Sequence, residues 1–276
     1  MALFWNKAVE TMGRTKLQAL QLALLRRSVQ RAKKSPLYRE RLRGCAPLRK
    51  ISDVQQLPFT TREDLQTRYP FGLLAVPYDK VLRLHTSSGT TGKPKAIFFT
   101  KGDLAAASEN MARSLTMGGV TAADVIQNMM TYGLFTGAIM LHYGAEKIGA
   151  MVIPAGPGNT DRQLMLMQDF GTTTLHLTPS YALYLADALR RKGIDRTSLK
   201  LRRVFVGAEP YTEETRRKIE ELLGVQVYNC YGMTEMNGPG VAGECPAREG
   251  MHVWEDSFLV EIIDPATGTV LPDGEK

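Results

Sequence analysis

The chain has 276 residues and a hydrophobic share of 43%, which fits a soluble globular protein with one large or two small domains. Its net charge of +7 does not by itself indicate nucleic acid, because residues 1–50 hold thirteen Lys or Arg against Glu10 and Glu40, while the remainder holds 22 against 26 acids. The three cysteines form no close pair and read as reduced thiols of a cytoplasmic protein, and the charged opening thirty residues read as neither signal peptide nor membrane span.

Residues 16–34 make one basic segment with Leu17, Leu20, Leu24 and Val29 near helical spacing, so residues 1–34 are expected to form an amphipathic helix with a solvated basic face. Ser35 and Pro36 break that pattern, and Thr61 with Asp64 marks a later helix start. Strands are predicted at 81–85, 96–99, 125–130, 150–153, 174–177, 203–206 and 225–230, with helices at 104–117, 138–148, 161–169, 181–192 and 213–223. This alternation predicts an α/β fold, a largely parallel sheet flanked by helices. In such sheets ligands gather beyond the carboxyl ends of the strands, where residues 132–137, 207–210 and 231–235 fall. Residues 259–263 and 269–271, joined by Asp264-Pro265-Ala266-Thr267-Gly268, predict a C-terminal β-hairpin. A new turn follows with no strand to receive it, and the ending reads as a cut inside a longer sequence.

The stretch Ser87, Ser88, Gly89, Thr90, Thr91, Gly92, Lys93 combines glycines that let backbone N–H groups approach an anion with hydroxyl donors and a full positive charge. It is expected to cradle phosphate. A Walker loop would need glycine at position 87 and a helix after Lys93, but Ser87 stands there and Pro94 leads into an apolar strand. A kinase is therefore disfavoured.

Together with Gly207-Ala208-Glu209-Pro210 and Tyr231-Gly232-Met233-Thr234-Glu235, this loop resembles three ordered motifs of the adenylate-forming enzymes. Within that superfamily the chain is similar to phenylacetate-coenzyme A ligases through Tyr132-Gly133-Leu134-Phe135-Thr136-Gly137, His142-Tyr143-Gly144-Ala145-Glu146, Thr178-Pro179-Ser180-Tyr181, Gly238-Pro239-Gly240 and Trp254-Glu255-Asp256. The resemblance implies that residues 35–276 are an incomplete AMP-binding large domain whose small C-terminal lid is absent. It also implies a two-step reaction, in which a carboxylate attacks the α-phosphate of ATP and the thiol of coenzyme A then displaces AMP. By the same resemblance Gly207, Ala208, Glu209 and Pro210 line the adenine side, Cys230, Tyr231, Gly232, Met233 and Thr234 complete the nucleotide site, and Glu235 holds Mg2+. Lys93, Thr234 and Glu235 are the catalytic candidates, and Tyr132, Phe135, Gly137 and Pro239 are the walls of an aryl pocket.

The implied partners are an aryl carboxylate, ATP and coenzyme A, with a homodimer possible and no nucleic acid or membrane. Phenylacetate leads, with indoleacetate, hydroxyphenylacetate or a benzoate close behind. A binding module for AMP or an acyl-adenylate, without catalysis, is the alternative. Ser257 stands where many relatives have His, and Cys245 with His252 supplies only two ligands, so a free thiol and a surface imidazole are favoured there over zinc.

Overall fold

Short polar side chains start several of the helices. The computed structural model describes residues 4–86, 94–272 and 274–275. Its elements in order are α1 (Lys7–Glu10), α2 (Arg14–Ala32), α3 (Pro36–Arg41), α4 (Arg62–Thr67), β1 (Val81–Thr86), β2 (Ala96–Thr100), α5 (Lys101–Met117), β3 (Val125–Asn128), α6 (Thr136–Ile148), β4 (Met151–Ile153), α7 (Thr160–Asp169), β5 (Thr174–Leu177), α8 (Pro179–Arg191), β6 (Arg203–Val206), α9 (Glu213–Leu223), β7 (Gln226–Met233), β8 (Gly238–Glu244) and β9 (Met251–Val253). Thr61 with Asp64 and Thr100 with Asp103 form capping boxes at α4 and α5, and Thr178 and Thr212 cap α8 and α9. Gly149 and Gly224 close α6 and α9 in the left-handed conformation.

Seven strands make one sheet in the order β4-β3-β5-β6-β7-β8-β9. The first five pair in parallel, β8 adds antiparallel to β7, and β9 adds antiparallel to β8. One face buries Leu175, Leu177, Val204, Val206 and Val227 under apolar residues of α7, α8 and α9, including Leu164, Leu185 and Ile219. The other buries Ile126, Phe205 and Tyr228 under Met111 and Leu115 of α5 and Leu141 of α6. Alternating side chains of parallel strands buried on both faces account for the nearly continuous apolar runs.

The α/β expectation holds, with corrections. Strands β1 and β2 follow one another without a helix and form a separate antiparallel pair. Neither β8 nor β9 was anticipated, because Gly238, Pro239 and Gly240 read as punctuation rather than strand. The expected C-terminal hairpin reduces to an isolated bridge between Ile263 and Val270, supported by Asp264 N–H donating to Thr269 O at 2.9 Å and Leu271 N–H to Ile262 O at 2.8 Å. The basic helix forms as α2, but buries only Leu17 and Gln21. Some of its cations are engaged: Arg14 pairs with Glu255 at 2.6 Å and Arg26 donates to Leu48 O at 2.7 Å. Among the described residues no helix is long and apolar enough to cross a membrane.

Candidate active site

A cleft of about 760 Å³ opens beyond the carboxyl ends of the parallel strands. β5 contributes His176, the turn after β6 Gly207 and Ala208, and β7 with the turn after it Cys230, Gly232, Met233, Thr234 and Glu235. Phe135 and the first turn of α6 supply another wall with Thr136 and Gly137, and Gly238 and Pro239 open β8 beside them. The N-terminal segment closes the far side with Tyr38, Thr61 and Arg62.

Strand pairing explains why small residues recur here. A Cβ on Gly232 would lie 2.0 Å from Gly238 O and 2.4 Å from Pro239 Cα, so the β7–β8 crossing is closed to any side chain. A Cβ on Gly137 would lie 2.5 Å from the Phe135 ring, and the missing methyl lets that ring fold over the α6 terminus.

Two contacts organise the polar end. Thr136 and Thr234 share a hydrogen bond of 2.7 Å between their hydroxyls, tying α6 to the end of β7. Glu235 forms an ion pair with Lys95, both side chains being about four-fifths buried (20% and 17% exposed). The buried end is different. Met130 and Cys230 are each 7% exposed, His176 is 3% exposed, and burial pushes the Cys230 thiol up to about 12, which leaves it an inert thiol at neutral pH. His176 Nδ1 lies 3.0 Å from Asn128 Oδ1.

The cleft gathers Gly207, Ala208, Cys230, Gly232, Met233, Thr234, Glu235, Phe135, Gly137 and Pro239 of the residues expected from sequence. It does not gather all of them. Tyr132, expected as a pocket wall, turns its hydroxyl to His142 Nδ1 at 3.1 Å, and burial pushes its phenol up to about 12. Glu209 accepts from Ser180 N–H at 3.3 Å and Ser180 Oγ–H at 3.0 Å, joining the turn after β6 to α8, and neither it nor Pro210 lines the cleft. Tyr231 is 48% exposed and also lies outside the lining. Ser87, Ser88, Gly89, Thr90, Thr91, Gly92 and Lys93 lie outside the described residues.

Sequence reasoning missed six contributors. Lys95, two residues past Lys93, carries the charge seen against Glu235. Thr136 was hidden between two expected wall residues, and His176 was signalled only by an imidazole in an apolar strand. Tyr38, Thr61 and Arg62 arrive through the tertiary fold, and the sequence marks Thr61 only as a helix cap. A second cavity of about 390 Å³ is lined by Cys245 and His252 with Glu10, Glu255 and Asp256. No group of three or more His, Cys, Asp or Glu among the described residues could hold a metal ion, and Glu255 and Asp256 are paired with Arg14 and Arg113.

A doubly covered α/β sheet with a nucleotide-sized cleft at the carboxyl ends of its strands is the arrangement of an adenylate-forming domain. Residues 27–276 match the model of the AMP-binding enzyme family, and the chain belongs to that family. It is 45% identical to the phenylacetate-coenzyme A ligase of Thermus thermophilus, over 99% of this chain and 63% of that one, and 42% identical to that of Escherichia coli, over 97% and 63%. The similarity to phenylacetate-coenzyme A ligases expected from the motifs is thus found along nearly the whole sequence. A crystal structure of 2-hydroxyisobutyryl-CoA ligase with 2-HIB-AMP and CoA superposes with a TM-score of 0.93 at 27% identity, covering 99% of this chain and 61% of that one. The chain therefore spans under two thirds of the length of these relatives.

Proposed function

We propose that this chain is the nucleotide- and acid-binding part of an aryl-acid coenzyme A ligase that forms AMP. The observation that carries the reading is the continuity of one cleft, polar at Thr136, Thr234, Glu235 and Lys95 and buried and largely apolar at Met130, Gly137 and Cys230. An acyl-adenylate has the same two halves, and the cleft volume suits a ligand of that size.

In the first half-reaction a carboxylate oxygen attacks the α-phosphorus of ATP, the bond to the bridging oxygen breaks, and pyrophosphate leaves with the electron pair. Ser87 to Lys93 would face the leaving pyrophosphate, whose growing negative charge is best met by donors already in place. Thr234, held by Thr136, would donate to an α-phosphate oxygen. Phe135, Gly137 and Pro239 would confine the aryl group, and Gly207 and Ala208 would border the adenine. In the second half-reaction the coenzyme A thiol, as thiolate, attacks the acyl carbon and AMP leaves.

The donor set fits one magnesium ion, since a single carboxylate plus substrate phosphates is a usual complement and Glu235 already has a cationic partner in Lys95. Glu235 would hold it, and when bound it would neutralise charge on the phosphate oxygens. The three cysteines are free thiols, in keeping with a cytoplasmic ligase. A homodimer is part of the same proposal and is checked by sedimentation.

Thermal unfolding with a non-hydrolysable phenylacetyl-sulfamoyl-adenosine tests the reading. At a hundredfold excess over its dissociation constant the ligand adds roughly 2.7 kcal/mol, about 5–10 °C for a domain of this size. A rise of that order, above those given by AMP and phenylacetate separately, is expected. A folded chain that the conjugate shifts no more than AMP does would remove the aryl half of the proposal.

A further inference from the structure

Strand β5 carries one imidazole among apolar neighbours, and its hydrogen bonds define what that ring can recognise. Pairing sets Asn128, His176 and Phe205 abreast on the sheet face covered by α5 and α6. The Asn128 amide is oriented by backbone groups: Nδ2–H donates to Ala138 O at 2.7 Å, and Oδ1 accepts from Met130 N–H at 3.3 Å. Oδ1 is then the atom that faces His176 Nδ1 at 3.0 Å. An acceptor opposite Nδ1 requires Nδ1 to carry the proton, and in a neutral ring Nε2 is then a bare acceptor. Burial keeps the ring neutral by lowering its pKa to about 3.

Nε2 has no hydrogen-bond partner among the described residues, and the ring that carries it borders the cleft. His176 lines the cleft at its buried end, beside Met130, Gly137 and Cys230. None of these side chains offers a strong donor. An unsubstituted aromatic ring seated there would displace water from Nε2 and return nothing, whereas a ring bearing a donor would satisfy it.

Building on the aryl-acid reading above, we propose that His176 Nε2 is a specificity-determining acceptor that reads an O–H or N–H on the ring of the aromatic acid, so the acid taken is a hydroxyaryl or indolyl carboxylate in preference to an unsubstituted one. The donor's source, phenol or ring N–H, is separated by the probes. Calorimetric titration would compare sulfamoyl-adenosine conjugates of phenylacetate, 3-hydroxyphenylacetate, 4-hydroxyphenylacetate and indole-3-acetate, with AMP alone as reference.

At least one donor-bearing conjugate is expected to bind about tenfold or more tightly than the phenylacetyl conjugate. His176→Leu should erase that gap with AMP affinity retained, and His176→Gln should restore part of it through Oε1. The preference should be the same at pH 6 and pH 8, because the ring stays neutral across that range. A phenylacetyl conjugate that binds as tightly as every donor-bearing one overturns the proposal and leaves the aryl-acid reading standing. A leucine variant that loses AMP as steeply as the conjugates also overturns it, by placing the imidazole against the nucleotide. If no conjugate binds better than AMP, the aryl-acid reading falls and this proposal with it. Should the leucine variant fail to fold, the ranking of the four conjugates by the unaltered chain still decides.

Discussion

Glu235 and Gly232 lie three residues apart in one motif and matter for opposite reasons. Glu235 presents a charged group to the cleft and is neutralised by Lys95. Glu235→Gln is expected to leave the fold within about 1–2 kcal/mol of wild type, since the pair keeps partial access to water. Its effect should appear in binding: magnesium should strengthen ATP binding about tenfold in the wild type, or 1.4 kcal/mol, and leave it unchanged in the variant. Titration of ATP with and without a chelator checks this, and a variant that keeps the magnesium effect would remove Glu235 as the metal ligand. Gly232, by contrast, makes room for backbone. Gly232→Ala sets a methyl 2.0 Å from Gly238 O, so β7 and β8 must separate, at a cost of about 2–4 kcal/mol in urea unfolding. The motif was legible as a motif, but whether each member serves charge or space depended on strand β8, which the sequence did not announce.

At the scale of elements, the sheet is locked at the end opposite the cleft. Asp124, 2% exposed at the entry to β3, accepts from Thr121 N–H at 2.8 Å, Thr173 Oγ–H at 2.6 Å and the guanidiniums of Arg202 and Arg203 at 2.7 Å each. One carboxylate thus joins the starts of β3, β5 and β6. Burial alone would raise its pKa, but the Thr173 and Thr121 hydrogen bonds and the two arginines outweigh it and hold the carboxyl below its usual value. The folded state therefore prefers the ion. That stability is fully present above the unfolded carboxyl's value near about 4 and is lost as pH falls through the lower folded value. Asp124→Asn should cost about 3–5 kcal/mol at pH 7 by stranding buried Arg203, and its stability should fall less steeply than wild type on acidification below pH 4. AMP affinity should be unaffected, because Asp124 is far along β3 from the cleft.

A similar contrast separates two adjacent acids. Glu255 pairs with exposed Arg14, whereas Asp256 pairs at 2.7 Å with Arg113, whose side chain is 4% exposed. Glu255→Ala should cost less than about 1 kcal/mol, and Asp256→Ala about 3 kcal/mol or more, in the same urea titration. Equal costs would show that burial of Arg113 is not what sets the difference.

For the whole molecule, the basic N-terminal helix α2 and the cleft are separate systems. No residue of α2 lines the cleft, while Tyr38, Thr61 and Arg62 from the segment after it do. Removing residues 1–32 should therefore lower stability by about 2–4 kcal/mol, mainly through the loss of buried Leu17 and the contacts of Arg14, Gln21 and Arg26. AMP affinity should stay within about threefold. A truncated chain that folds but no longer binds AMP would place the N-terminal boundary of the nucleotide-binding unit inside α2.

By itself the sequence determined the α/β class, the order of nearly every helix and parallel strand, and the motifs around Gly207 and Thr234. Those signals are local: caps, apolar periodicity and glycine spacing act within a few residues. Only the tertiary structure decided which motif residues share a cleft, that Tyr132 turns to His142 while Lys95 meets Glu235, and that the glycine-rich β8, followed by β9, extends the sheet. It also decided that His176 lines the cleft with Nδ1 held by Asn128 and no partner for Nε2 among the described residues. Each of these depends on contacts between groups distant in sequence, and on burial, which changes what a titratable side chain can do without changing its name.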